Sequence, residues 1–222
     1  MANRTRKKQK PQRRPPASHL LIIECEPDKL AQQRLNFGSA AASLLVTLFP
    51  TKKIVLVHGT SVGALGQALA DAVKANDRFR TVLIVGHSNE EGLQLTPQEF
   101  FSWQAVANWV APFQPEFLLL AACRAGRSAA IRNLFEGVSS LKEIYASPVK
   151  FFSDQTHPFA GLLLAVLKYR KIDEAVARLL QASGYAFNDG LIYRWRRRDM
   201  RHPNQLNRLG WDLLGDIFNR RQ

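Results

Sequence analysis

The sequence lacks several features that would assign it to a common class of protein. Cys25 and Cys123 are the two cysteines of the chain, too few for a disulfide framework, so a reducing compartment is expected. The longest nearly apolar run, residues 40–49, is far too short to cross a bilayer. Proline and arginine follow the basic N-terminus, where a signal peptide would need a hydrophobic region. These absences predict a cytoplasmic protein without a membrane span.

Acidic residues are scarce, and the resulting positive charge is concentrated at the two ends of the chain. The net charge is +13. Residues 1–17 contain seven Lys or Arg and no acid, whereas residues 193–222 contain eight Arg and three Asp. The chain between them is close to neutral. Basic ends are typical of a contact with nucleic acid, a membrane surface or a partner protein, and also of solubilising tails, and composition leaves these interpretations open.

Length and composition predict one globular domain with two extensions. An apolar fraction of 46% over 222 residues is enough to form a substantial core. Residues 1–17, which are charged and proline-rich, are predicted to be a disordered basic tail. Residues 18–192 form the predicted domain, and residues 193–222 a basic, amphipathic C-terminal extension. No internal repeat is evident.

The C-terminal extension begins with arginines interleaved with aromatic residues. This pattern suits base stacking and phosphate contacts, and it suits equally a strand that docks on a partner protein. The candidate contact residues are Arg194, Arg196, Arg197 and Arg198.

Short runs rich in Val, Ile and Leu alternate with segments of helical periodicity, which predicts βαβ units and a mainly parallel sheet. The predicted strands are residues 19–25, 53–57, 81–86, 116–122 and 141–146. The predicted helices are residues 27–48 with an interruption near Gly38, then 62–75, 127–135, 158–168 and 173–182. A further helix is predicted to begin at the capping box Thr96-Pro-Gln-Glu99 and to end before Pro112, with Phe100 and Trp103 in the core.

Two of the predicted strands end at residues that can perform chemistry. Thr81-Val-Leu-Ile-Val-Gly leads into His87, and Glu116-Phe-Leu-Leu-Leu-Ala-Ala leads into Cys123. Because the carboxyl ends of parallel strands meet at one edge of a sheet, we expect the two side chains to lie together. An imidazole beside a thiol favours the thiolate, and Arg124, Arg127 and a following helix N-terminus would favour it further. Taken singly, Cys123 also fits a buried apolar residue, and His87 a polar residue at a strand end.

These segments resemble those of the caspase-like cysteine peptidases. Gly-His87-Ser-Asn-Glu-Glu-Gly92 is similar to that family's histidine segment, and Ala-Ala-Cys123-Arg-Ala-Gly to its nucleophile segment. The resemblance covers about residues 19–182, and within it residues 151–182 resemble the bacterial CHAT branch. It implies a mostly parallel central sheet of about five to six strands flanked by helices.

The resemblance also implies roles for individual residues. Cys123 would be the nucleophile and His87 the base or acid, and the backbone N–H groups of Ser88 and Cys123 would form the oxyanion hole. The sequence departs from the family at Ser88, where a glycine is usual, and at Ala121 and Ala122, where relatives place residues linked to specificity. Cleavage after aspartate is therefore not expected. Asp154 could line a pocket for a basic side chain, or could be an ordinary loop acid.

Three other interpretations agree less well with the residues. An α/β-hydrolase needs Gly-x-Ser-x-Gly around Ser88, but Glu90 occupies the last glycine position. A P-loop at residues 59–66 lacks the following Gly-Lys-Ser/Thr. His157 and His202 have no cysteine or acidic cluster around them, so neither a metal site nor a cofactor is expected. His58 is predicted to be structural.

The sequence therefore predicts a cysteine endopeptidase of the CHAT type that acts on a protein substrate through a Cys–His dyad. The absence of any long regulatory or binding domain suggests control by a separate protein partner, and by resemblance the system would be a bacterial stress or defence system. The alternative is a catalytically inactive caspase-like scaffold that binds nucleic acid or a partner protein through its basic ends.

Overall fold

The computed structural model describes residues 19–25, 37–75, 78–96, 99–147, 163 and 193–197. These ranges contain eight strands and four α-helices. The strands are β1 His19–Cys25, β2 Ile54–His58, β3 Phe79–Gly86, β4 Gly92–Thr96, β5 Glu99–Ser102, β6 Phe117–Ala122, β7 Glu143–Ala146 and β8 Tyr193–Arg196. The helices are α1 Phe37–Leu48, α2 Val62–Lys74, α3 Trp103–Val110 and α4 Ser128–Gly137, and a 3₁₀ turn, Ala111–Phe113, follows α3.

Six strands form one sheet in the order β2-β1-β3-β6-β7-β8. All neighbours are parallel except β7 and β8, which are antiparallel. The central strands β1, β3 and β6 are buried on both faces, which explains why their sequences are continuous apolar runs rather than alternating ones. The predicted α/β fold with a mostly parallel central sheet is confirmed.

Helices cover both faces of the sheet, and each face has its own core. On one face, Ala41, Ala42 and Leu45 of α1 pack on alternate residues of β1 and β3 such as Ile22 and Leu83. On the other face, α2, α3 and α4 pack over a larger core. Its members are the residues one position out of phase along the same strands, because successive side chains of a strand point to opposite faces.

The prediction of a helix beginning at the capping box Thr96–Glu99 is wrong. Thr96 ends β4 and Glu99 begins β5 of a separate β4–β5 hairpin, and α3 begins only at Trp103, where the Ser102 hydroxyl accepts a hydrogen bond from the Ala105 N–H at 3.2 Å. Residues 99–102 alternate as a strand does, since Phe101 packs against the core while the neighbouring Phe100 is exposed. Trp103 is in the core as predicted, but Phe100 is exposed.

Gly92, the first residue of β4, allows the hairpin to close. A Cβ atom at this position would collide with the backbone carbonyl of Phe101 on β5, which pairs with β4 in antiparallel register. A backbone atom cannot move aside as a flexible side chain can, so this close approach requires glycine.

The first residues of the C-terminal basic segment form β8, an edge strand of the described sheet. Strand β8 pairs with β7, with Trp195 opposite Ile144, and the Trp195 side chain is buried. The predicted helices 158–168 and 173–182, the N-terminal residues 1–17 and residues 198–222 lie outside the described residues, apart from the buried Leu163. In the described part of the chain, no helix is both long enough and apolar enough to cross a membrane.

Candidate active site

Strand register brings the predicted nucleophile and base to neighbouring positions at the carboxyl edge of the sheet. Gly86, the last residue of β3, is the register partner of Ala122, the last residue of β6. His87 and Cys123 each follow directly, so the two residues leave the sheet from neighbouring strand ends, and neighbouring strands of a sheet lie about 4.8 Å apart. His87 is exposed and Cys123 is partly buried.

Glycine is needed immediately before the histidine. A Cβ atom at Gly86 would collide with the backbone carbonyl of Cys25, its register partner on β1. The close packing of β1 on β3 at this point therefore fixes where the chain leaves the sheet toward His87.

The loop after His87 is a compact turn that is held by its own hydrogen bonds. The Asn89 side-chain oxygen accepts from the N–H groups of Glu91 at 2.8 Å and Gly92 at 3.0 Å. The His87 carbonyl accepts from the Gln94 N–H at 2.8 Å, which ties the histidine backbone to β4. Asparagine commonly closes turns in this way, and that preference was the signal in the sequence for a structured loop here.

Cys123 begins the turn that joins β6 to α4. Arg124 adopts a left-handed conformation with φ of 56°. For a residue with a side chain, this conformation costs about 1–2 kcal/mol, and it persists only where neighbouring contacts hold it. The Gly126 N–H donates to the Ser147 carbonyl after β7 at 2.7 Å, which anchors the far end of the turn. Helix α4 begins at Ser128, so the turn separates Cys123 from the helix in sequence.

Two contacts join the histidine loop to the cysteine turn. The Ser88 hydroxyl donates a hydrogen bond to the Cys123 carbonyl. The Glu90 carboxylate lies 3.9 Å from the Arg124 guanidinium and 3.8 Å from that of Arg127. Glu90 therefore shares the charge of the two arginines that were expected to favour the Cys123 thiolate, a contact that no motif in the sequence indicates.

A second histidine and a carboxylate lie at the same edge of the sheet, on β2 and β1. Glu24 is almost fully buried, and it accepts from the Gly38 N–H at 2.6 Å and the Ser39 hydroxyl at 2.7 Å in the first turn of α1. A carboxylate at a helix N-terminus is stabilising because the N–H groups there are unpaired. His58 lies 3.4 Å from the same carboxylate, a position that suits the structural role predicted for it.

The remaining residues predicted to contact a substrate, nucleic acid or partner lie in β8, directly after it, or outside the described residues. Arg197 points into the domain, where its guanidinium donates to the carbonyls of Leu141 at 2.7 Å, Phe135 at 2.7 Å and Val138 at 2.6 Å. These bonds account for Arg197 as part of the fold. Arg194 and Arg196 lie in β8, whereas Asp154 and Arg198 lie outside the described residues.

Comparison with known proteins supports the fold. No protein-family model and no curated protein matches the sequence. Among solved structures, the fold is similar to that of iotapain, a secreted C11 cysteine protease from Bacteroides thetaiotaomicron, with a TM-score of 0.55 and 11% sequence identity. The match covers 78% of this chain and 64% of the protease, so the chain spans less than two thirds of that protein. The molecule therefore has a caspase-like α/β fold.

Proposed function

We propose that the protein is a cysteine endopeptidase in which Cys123 is the nucleophile and His87 the general base and acid. The observation that supports this proposal is the register of β3 and β6, in which Gly86 and Ala122, the residues just before His87 and Cys123, are partners at the carboxyl edge of a caspase-like sheet. The fold neighbour is itself a cysteine protease. A nucleophile and a base on adjacent strand ends are the smallest set of side chains that acyl transfer requires.

The reaction would follow the usual two stages of thiol acyl transfer. His87 takes the proton of Cys123, and the thiolate attacks the peptide carbonyl to form a C–S bond. The N–H groups of Ser88 and Cys123 stabilise the resulting oxyanion. The C–N bond then breaks as His87 returns the proton to the amine, leaving a thioester. Water, deprotonated by His87, hydrolyses the thioester, releasing the carboxylate product and the free thiol.

The finer assignment to the CHAT type rests on residues 151–182, which lie outside the described part apart from Leu163. We retain it as part of the proposal, together with a regulatory protein partner, a role in bacterial defence and a cytoplasmic location. Since Ala121 and Ala122 carry no polar side chain, the substrate preference must come from other residues.

The test is mass-spectrometric profiling of protein N-termini in cells that express the wild type, Cys123→Ala or His87→Ala. A neighbouring gene product that could act as the partner is co-expressed. Cys25→Ala and His58→Ala are matched controls, because they remove a cysteine and a histidine from outside the dyad. We expect new N-termini in the wild type and both controls that vanish in the two dyad variants. Identical profiles in all folded variants would contradict a dyad peptidase.

A second candidate function, an inactive scaffold, rests on the distribution of charge. Residues 1–17 and 193–222 hold nearly all the excess positive charge, as expected of a protein that binds a polyanion. This function predicts nucleic-acid binding that weakens steeply with salt and is lost when residues 1–17 are deleted, while Cys123→Ala leaves it unchanged. Binding that is insensitive to the deletion would exclude the tail as the contact.

A further inference from the structure

Ser88 occupies the position where the family resemblance places a glycine, and the structure gives its hydroxyl a specific partner. The side chain is partly buried and donates to the carbonyl of Cys123, 35 residues away in sequence. A glycine could not make this contact. The bond joins the residue after the proposed base to the backbone of the proposed nucleophile.

The Cys123 carbonyl belongs to the peptide that precedes Arg124, the residue with the left-handed conformation. The orientation of this peptide sets where the turn begins, and the bond from the Gly126 N–H to Ser147 fixes its far end. The Cys123 turn is thus held at two points, one on the histidine loop and one beyond β7. Loss of the Ser88 hydroxyl would release the first point and leave a partly buried carbonyl without this donor.

Glu90 forms a second and weaker link between the same two loops. Its contacts with Arg124 and Arg127 are 3.9 and 3.8 Å long, and all three side chains are about half exposed. Exposed ion pairs of this kind contribute little and are screened by salt. The neutral hydrogen bond from Ser88 is therefore expected to dominate at physiological ionic strength.

We infer that Ser88 is a positioning residue, which holds the Cys123 turn against the His87 loop through its hydroxyl, with Glu90 as a salt-sensitive auxiliary. The inference deepens the proposed peptidase function and rests on it for its effect on turnover. It concerns the side chain of Ser88, whereas the oxyanion hole would use the backbone N–H.

The surroundings of Ser88 distinguish this role from that of a serine nucleophile. A nucleophile elbow places its serine on a turn from a strand directly into a helix. Here the chain after Ser88 enters the β4–β5 hairpin, and the hydroxyl proton is directed to a carbonyl instead of to a histidine.

The test compares Ser88→Ala, which keeps the backbone N–H, with Ser88→Thr, which keeps the hydroxyl. Ser140→Ala is the matched control, because the Ser140 hydroxyl also donates to a backbone carbonyl across two loops, that of Pro115 at 2.8 Å, but at the opposite edge of the sheet. Circular dichroism and urea unfolding establish that each variant is folded.

The first readout is the rate of alkylation of Cys123 by iodoacetamide as a function of pH, followed on the Cys123 peptide by mass spectrometry. It requires no substrate and remains valid if the chain proves not to be a peptidase. We expect Ser88→Ala to shift this profile, Ser88→Thr to restore most of it, and Ser140→Ala to match the wild type. Superimposable profiles for Ser88→Ala and the wild type would overturn the inference.

The second readout is turnover of a substrate found in the N-terminal profiling. Displacement of a reacting group by about 1 Å can lower the rate ~100-fold, so we expect kcat of Ser88→Ala to fall by roughly tenfold or more with KM little changed. An unchanged kcat in Ser88→Ala beside an inactive Cys123→Ala would refute the positioning role alone. A wild type as inactive as Cys123→Ala would instead refute the peptidase proposal.

Glu90→Gln tests the auxiliary link, with the neighbouring exposed Glu91→Gln as its control. We expect Glu90→Gln to lower kcat by about twofold to fivefold in low salt and to approach the wild type near 1 M salt, where the Debye length is about 3 Å. An effect of equal size in Glu91→Gln, or one that salt does not reduce, would exclude the ion pairs as its cause.

Discussion

Among single residues, the two cysteines have opposite surroundings, although Cys25 ends a buried strand and Cys123 directly follows one. Cys25 is fully buried in the core beneath α2 and α3. Burial, and then the neighbouring Glu24 carboxylate, raise the pKa of the Cys25 thiol to about 12. Cys123 lies one residue beyond its strand, where the side chain is partly accessible. Cys25 is the last residue of its strand and its thiol is inert, whereas Cys123 lies one residue past the end of its strand and a reagent can reach its thiol.

This difference predicts selective labelling. At pH 8 a thiol with a pKa near 12 is ionised in about one molecule in ten thousand, so iodoacetamide should modify Cys123 and leave Cys25 intact in the folded protein. In concentrated urea both should react at similar rates. Peptide-level mass spectrometry measures the two sites separately. Labelling of Cys25 in the folded protein as fast as in urea would contradict its burial.

At the scale of secondary-structure elements, the amino ends of β3, β6 and β7 are joined by one carboxylate. Glu116 lies 3.2 Å from Arg80 and 2.8 Å from Lys142, and its backbone carbonyl accepts from the Lys142 N–H. Burial raises the pKa of Glu116, but the hydrogen bonds from Lys142 and Arg80 outweigh it and hold the pKa below its usual value. This cluster stabilises the edge of the sheet opposite the proposed site.

Glu116→Gln is accordingly expected to lower the free energy of unfolding by about 1 kcal/mol at pH 7. Because the folded-state pKa is depressed, the carboxylate contributes stability above its unfolded pKa of about 4.5, and that contribution is lost as pH falls through the folded value. Urea unfolding over a series of decreasing pH values from pH 7 should show the difference from the wild type shrinking as the pH falls. Glu136→Gln, which replaces an exposed acid on α4, should leave the free energy of unfolding unchanged throughout, and a cost of Glu116→Gln that does not decrease with pH would rule out the charge.

The β4–β5 hairpin shows how an element can mislead prediction. The capping box and proline at residues 96–99 are a genuine helix-start pattern, and Ser102 offers a second one six residues later. Tertiary contacts decide between them, since residues 99–102 pair with β4 as a strand and Phe101 packs against the core.

In the molecule as a whole, β8 forms one edge of the described sheet, and Arg197, which follows β8, connects this edge to α4. The three carbonyls that accept from Arg197 lie at the end of α4 and in the connection to β7, where helical carbonyls have no partner within the helix. The guanidinium also lies 5.1 Å from the centre of the Phe135 ring. Arg197, which lies toward the C-terminal end of the sequence, thereby caps the end of α4, a helix from the middle of the sequence.

Arg197→Lys should therefore be destabilising although it conserves charge. A lysine ammonium cannot reproduce the fork that reaches three carbonyls, and we expect a loss of about 2 kcal/mol in the free energy of unfolding. Arg132→Lys, an exposed position on α4, is the control and should cost almost nothing. Equal stability of the two variants in urea titration would show that the Arg197 contacts are not needed for folding.

The strands that are buried on both faces could be predicted from the sequence. Strands β1, β3 and β6 need continuous apolar runs, so their positions, and the residues that follow them, could be read from the order of apolar residues along the chain. The expectation that His87 and Cys123 share an edge also followed, because parallel strands of one sheet carry their carboxyl ends together.

Which strands are neighbours and which loops meet depends on how the whole chain packs. The order β2-β1-β3-β6-β7-β8 sets β3 beside β6, and from that single adjacency come the Ser88–Cys123 hydrogen bond and the contacts of Glu90 with Arg124 and Arg127. The docking of β8 and the helix cap by Arg197 depend likewise on pairings between distant segments. Apolar periodicity is a local property of the chain, whereas strand adjacency and polar contacts between loops depend on packing many residues at once, so no short window of sequence contains them.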